Sequence, residues 1–175
     1  ISKQKMLIIS SRKKGVPFSQ EVLPVKILVN TQNGRQYLAA YNNEKKHFCK
    51  FRIDHILAIE DSTVFKDDKT YNIINEQFSF RIKHTWNVNF HYFENPMLVE
   101  FTIFVGDDEP FIINRLKREG HGGTITQISR NVYQYSIKIF DVTEIIPWVK
   151  TFTGRIVSFK SEDKKAEMKF YNDYL

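Results

Sequence analysis

At 175 residues, 42% hydrophobic and 14% aromatic, the chain carries enough apolar side chains for one ordinary core or two small ones, which excludes intrinsic disorder. A single cysteine, Cys49, excludes an internal disulfide framework, and no stretch has the length and apolarity of a membrane helix or the pattern of a secretory signal. The net charge of +6 is concentrated: the first 61 residues hold 11 Lys and Arg against 5 Asp and Glu, the remainder 15 of each, so an anionic partner is expected for the first third, with a solvated basic face as the alternative.

Residues 1–62 read as β-rich. MLIISSR (6–12) is a candidate strand followed by the turn-like KKGVP, and VKILVN (25–30) is a second, ended by the turn signal at 31–34. RQYLAAY (35–41), HFCKFRI (47–53) and ILAIE (56–60) follow, the first two separated by the polar loop NNEKK (42–46). Five short strands at hairpin spacing suggest a small barrel, since closure removes exposed edges. Residues 63–95 show no clean period and are expected to be a connector whose aromatics, Phe78, Phe80, Trp86, Phe90, Tyr92 and Phe93, serve packing in preference to stacking on bases.

From residue 96 the order becomes regular. MLVEFTIFV (97–105) alternates as a strand, and DDEPFIINRLKREG (107–120) reads as a helix with Pro110 in its first turn and Gly120 at its end. GTITQISR (123–130) and VYQYSIKIF (132–140) are strands. In 141–152, Asp141 and Glu144 have capping-box spacing, and Pro147 predicts a late start or a bend. GRIVSFK (154–160) is the last strand, and the tail forms a short helix with Ser161 as N-cap and Ala166, Phe170, Met168 and Tyr171 on its apolar side. The order β-α-β-β-α-β is that of the ferredoxin-like split unit. The expected fold is therefore α+β: a barrel over 1–62, a connector over 63–95 and a ferredoxin-like domain over 96–175.

Alternation along the third and fourth strands separates two sets of side chains. Arg35, Tyr37, Ala39 and Tyr41 share one face with Phe48, Lys50 and Arg52, provided Leu38 and Ala40 pair with Phe51 and Cys49 over the core. Two guanidiniums and a phenol on one face suit an anion: Arg supplies paired planar donors, Tyr a hydroxyl and a stacking surface. The competing reading ties Arg52 to Asp54 or Glu60 as an ordinary ion pair. His55, Ser10, Arg12 and Lys26 are further candidates beside the hairpin, while Lys13, Lys14, Lys45 and Lys46 in the loops would at most steer a ligand.

Nothing in the sequence marks an enzyme. No nucleophile motif or metal-ligand spacing occurs, and no cofactor or metal is expected. GHGG (120–123) follows a helix and reads as a helix end rather than a phosphate cradle, and Asp107, Asp108 and Glu109 are explained by the dipole at a helix start.

The stretch GRQYLAAYN with the following FRIDHI resembles the WYL domain of bacterial transcriptional regulators, whose pattern is GRWYLxAY and then FRLDRI. The segment from DEPFIINRLKREG to IIPWVKTFTGRIVSF is similar to the extension that follows WYL domains, with its signature at Pro147, Trp148, Phe152 and Gly154. Tyr37, Leu38 and Arg52 match the motif. Gln36 stands where the motif has tryptophan and His55 where it has its second arginine, and a neutral His55 lacks that positive charge.

The resemblance implies an Sm-like, SH3-type barrel, then a ferredoxin-like extension that dimerises, and an upstream domain for promoter DNA. The chain opens on Ile1 rather than Met, so preceding sequence is expected. It further implies a cytoplasmic, non-enzymatic regulator that senses a nucleotide or single-stranded nucleic acid through a basic pocket. Two alternatives remain at this point: an RNA-binding accessory protein of a CRISPR system, and a structural dimerisation module with a degenerate pocket.

Overall fold

A computed structural model describes residues 5–30, 33–90 and 94–174. The chain is α+β and divides into two compact units, 1–83 and 84–175, each built on an antiparallel sheet. Among the described residues, no helix is long and apolar enough to cross a membrane.

The first unit contains β1 (Lys5–Lys13), β2 (Val16–Val29), β3 (Gln36–Asn42), β4 (His47–Arg52) and β5 (Ile56–Val64), in the order β4-β3-β2-β1-β5. Lys14 and Gly15, at φ 51° and 82°, form the two-residue turn between β1 and β2, whose positive φ values match the twist of a hairpin. β2 is far longer than the sequence suggested: its first half pairs with β1, its second with β3, and the register shifts between Pro24 and Lys26. Pro24 has no N–H to give a ladder, so the break falls there. Ile9, Val22, Leu38, Ala40 and Phe51 form the core of this unit, and Phe18 stacks on Phe51 at 6.1 Å.

About half of the expected connector is a helix, α1 (Asp68–Lys83). Asp67 caps it, its carboxylate accepting from the Thr70 N–H and hydroxyl. Ile74 and Phe78, four apart on one face, are buried, and the Phe78 ring meets Phe48 at 5.8 Å. Phe80 is exposed, Trp86 and Phe90 are buried, and Tyr92 and Phe93 lie outside the described residues.

The second unit runs β6 (Met97–Phe104), α2 (Pro110–Glu119), β7 (Thr124–Ser129), β8 (Val132–Ile139), α3 (Ile146–Lys150), β9 (Ile156–Ser161) and α4 (Lys164–Tyr174), with sheet order β7-β8-β6-β9. Its core gathers Phe101, Tyr135, Phe152, Phe159 and Phe170 with aliphatic residues of the sheet and helices. Glycines at 120 and 123 leave room for Tyr135: a Cβ on Gly123 would sit 2.2 Å from its phenol, whose hydroxyl donates to the Gly120 carbonyl. GHGG is thus a helix end shaped by an aromatic ring.

Two carboxylates have roles that spacing alone did not reveal. Glu144 does not complete a capping box with Asp141. It is largely buried and accepts the N–H groups of Asn87, Val88 and Asn89 at 3.0–3.1 Å, while burial raises its pKa. Asp141 instead caps a 3-10 turn at Val142–Glu144, accepting from the Thr143 N–H, and α3 starts late, at Ile146. Glu119 accepts from Trp148 Nε1 (3.0 Å), Arg118 Nη2 (2.9 Å) and Arg115 Nε (2.9 Å), which hold its pKa down at about 2.

At the acidic start of α2, Glu109 forms a two-toothed ion pair with Arg155 and Asp107 pairs with Arg130. The cap of α4 is Asp163, whose carboxylate accepts from the Lys165 and Ala166 N–H groups, rather than Ser161. Met168 faces solvent, whereas Ala166 and Phe170 are buried. Tyr171 donates its hydroxyl to the Phe159 carbonyl and accepts from the Phe159 N–H, and Glu167 accepts from the Ser161 N–H. These bonds occupy the outer edge of β9. β7, at the opposite edge, is uncharged and largely exposed.

Candidate functional site

The hairpin of β3 and β4 has the register on which the site depends. Leu38 pairs with Phe51 and Ala40 with Cys49 on the core side, which sets Tyr37 opposite Arg52, Ala39 opposite Lys50 and Tyr41 opposite Phe48 on the other side. Lys26 of β2 stands opposite Ala39 from the other flank and is exposed. Tyr37, Lys50, Arg52 and Lys26 therefore share one face of three adjacent strands, and Arg35 immediately precedes β3 at the Tyr37 end.

That face is not an open surface. Tyr37, Ala39, Tyr41 and Phe48 are all buried, and at the Tyr41 end the cover is α1, with Phe78 on Phe48 and the Arg81 guanidinium 5.7 Å from the Phe48 ring centre. The polar end lies toward Tyr37. There the Lys50 ammonium stands 5.3 Å from the centre of the Tyr37 ring, a cation–π contact that places positive charge over an aromatic face.

Arg52 is tied down by Asp54, as the competing reading of the sequence had it. Its Nε donates to Oδ1 at 3.0 Å and its Nη2 to Oδ2, and these bonds lower the Asp54 pKa and raise that of Arg52. The pair is surface-exposed on the Asp54 side, so solvent screens it. Arg35 differs. Its guanidinium has no hydrogen-bond or ion-pair partner among the described residues, and it lines a cavity of about 300 Å³ with Gly34, Gln36, Ile53 and Asp54. Gly34, at φ 69°, turns the chain into β3 and brings Arg35 to this mouth.

The remaining candidates are dispersed. His55 ends a 3-10 turn at Ile53–His55 with its side chain exposed, and its carbonyl accepts the Ser11 hydroxyl at 3.0 Å. Ser10 is bonded to Ser19 at 2.8 Å, and Ser19 lies seven residues along β2 from Lys26. Arg12, opposite Pro17 and exposed, is farther still. The structure groups Arg35, Tyr37, Lys50, Arg52 and Lys26, leaves His55 at the rim, and separates Ser10 and Arg12. Sequence reasoning missed Gly34, Gln36 and Ile53 as lining residues; the turn signal at 31–34 was the available hint. It expected Phe78 to serve packing but did not place it on this face, and it missed Arg81, although Asp67 three residues before Thr70, and Ile74 four before Phe78, are helix signals.

Fold and site together define an α+β protein with a basic and aromatic hairpin on its first sheet. No protein-family model matches the chain, and no curated protein sequence matches it. Among solved structures it is similar to one described as the crystal structure of a CRISPR Cas-related protein, with a TM-score of 0.56 and 12% identity, over 98% of this chain and 46% of that one. A second, proteasome accessory factor B/C (PafBC) of Arthrobacter aurescens, is matched over 98% of this chain and 24% of that one, with a TM-score of 0.37 and 10% identity. This chain spans less than half the length of either, and the first likeness is one of fold.

Proposed function

We propose that the chain is the effector-sensing and dimerisation region of a WYL-type transcriptional regulator, not an enzyme, and that its effector is a nucleotide or single-stranded nucleic acid. The observation that carries this reading is the hairpin face itself: Arg35, without a side-chain partner among the described residues, beside Tyr37, with Lys50 over the Tyr37 ring and Arg52 across the ladder. Such a face offers donors to phosphate oxygens and an aromatic ring beside them.

The finer fold follows the same reading. The order β4-β3-β2-β1-β5, with a bent β2 shared by both flanks and a 3-10 turn before β5, supports an Sm-like barrel. The order β7-β8-β6-β9 with α2 and α3 as crossovers supports a ferredoxin-like extension. In the whole protein, two copies joined through this extension would present upstream domains to promoter DNA. A second reading, to which the fold neighbour described as CRISPR Cas-related draws attention, is an RNA-binding accessory protein of a CRISPR system.

Fluorescence anisotropy with short single-stranded DNA, RNA and free nucleotides, at several salt concentrations, tests both. Two phosphate contacts, from Arg35 and Lys50, give a slope of log affinity against log salt of about −1.4, the Arg52 charge being met by Asp54, and Arg35→Ala brings it to roughly −0.7. Preference for RNA over DNA favours the accessory reading. Absence of binding to all three probes rejects the effector.

A further inference from the structure

A second cavity, of about 390 Å³, opens on the core side of β3, where Leu38 points away from Tyr37. Leu7, Ile27, Leu38, Ile53, Ile56 and Ile59 line it, with the Lys5–Asp61 ion pair at one edge. Its origin is topological. β4 and β5 end the sheet on opposite sides and, among the described residues, no ladder joins them, so the interior stays open beside the 3-10 turn. Ile27 and Ile59 are consequently 53% and 56% exposed in a concave site, where apolar side chains mark a place to be filled. The volume is that of a small-molecule pocket.

Ile53 lines this cavity and also the Arg35 cavity. Ile53 thus joins the apolar chamber to a guanidinium that has no partner among the described residues. We infer that the barrel mouth binds a small amphipathic anion, its aromatic or branched aliphatic body against Ile27, Leu38 and Ile59 and its anionic head at Arg35. Asp54 also faces the Arg35 cavity, but its charge is already met by Arg52. A nucleobase fits the chamber poorly, because apart from Lys5 and Asp61 the walls give its polar edge nothing to bond. The inference rests on the reading of Arg35 as an anion contact, while the apolar chamber is independent of it.

The probe is 8-anilinonaphthalene-1-sulfonate, titrated into the intact chain by its emission, with octanoate as competitor. Saturable binding, displaced by octanoate, is expected. Ile27→Glu with Ile59→Glu, both at positions more than half exposed, weakens it by about tenfold or more, and Arg35→Ala by several-fold with a loss of salt dependence. Ile27→Ala with Ile59→Ala, which adds no charge, gives an intermediate loss and guards against misfolding of the first variant. Absence of saturable binding, or binding indifferent to the isoleucine variants, overturns the site; indifference to Arg35→Ala overturns the placement of the head. A native dimer that the glutamate variant dissociates, with no probe taken up, makes the mouth a protein interface and overturns the proposal. None of these outcomes uses an oligonucleotide, so a failed effector titration is distinguishable from a failure here.

Discussion

Glu119 should govern how the second unit responds to acid. Three donors converge on its carboxylate, from Trp148, Arg118 and Arg115, and its pKa falls from the ordinary 4.5 to about 2. Taken at face value that fall equals ~3 kcal/mol; with the side chain 33% exposed, solvent screening reduces it to about 1–2 kcal/mol. Because the folded value is depressed, the unfolded chain takes up the proton first as pH falls. The contribution is therefore fully present above pH 4.5 and is lost as pH drops toward 2. In Glu119→Gln the amide keeps an oxygen for the indole N–H but loses the charge. Urea unfolding followed by tryptophan emission reads this unit alone, since both tryptophans, Trp86 and Trp148, lie in it. The variant should be less stable than the native chain by about 1–2 kcal/mol at pH 7, with the difference closing between pH 4.5 and 2. A constant difference across that range would refute the charge as its cause.

Gly123→Ala places a methyl 2.2 Å from the Tyr135 phenol and should cost about 3 kcal/mol, whereas Gly122→Ala, with open space but φ 79°, should cost about 1 kcal/mol; equal melting temperatures would contradict this. Phe78→Ala empties the seat of α1 on Phe48 and should cost about 3–5 kcal/mol, read as faster amide exchange in α1 and in the β3–β4 hairpin. Burial pushes the Cys49 thiol up to about 12, so disulfide-exchange reagents should label it slowly in the folded chain and rapidly in urea.

The β3–β4 hairpin could be read in advance because its alternation is strict and one face must be buried, which fixes Leu38 against Phe51 and hence Tyr37 against Arg52. The strand expected at 25–30 is only the second half of β2; Pro24, just before it, marks a shift of register within one strand and not a boundary. α1 has only Ile74 and Phe78 fully buried among polar neighbours, too weak a period to stand out beside a run of aromatics. For the site, local pattern identified which side chains share a face. It did not reveal what covers that face, since Phe78 reaches Phe48 from thirty residues away, a contact set by tertiary packing. Glu144 shows the same limit: its spacing to Asp141 is that of a cap, yet its partners are the N–H groups at 87–89.

The two edges of the second sheet are treated differently, and this sets a limit on growth by strand addition. Along β9, Tyr171 and Glu167 already hold the outward backbone groups of Phe159 and Ser161, so an incoming strand finds those bonds taken. Along β7, TITQIS presents an edge without charge or proline. Growth of one sheet by strand pairing needs two available edges on that sheet, one to give and one to receive. The second sheet, with β7 alone open, can join one other, edge to edge across a twofold axis, and the joined sheet is then closed at both ends.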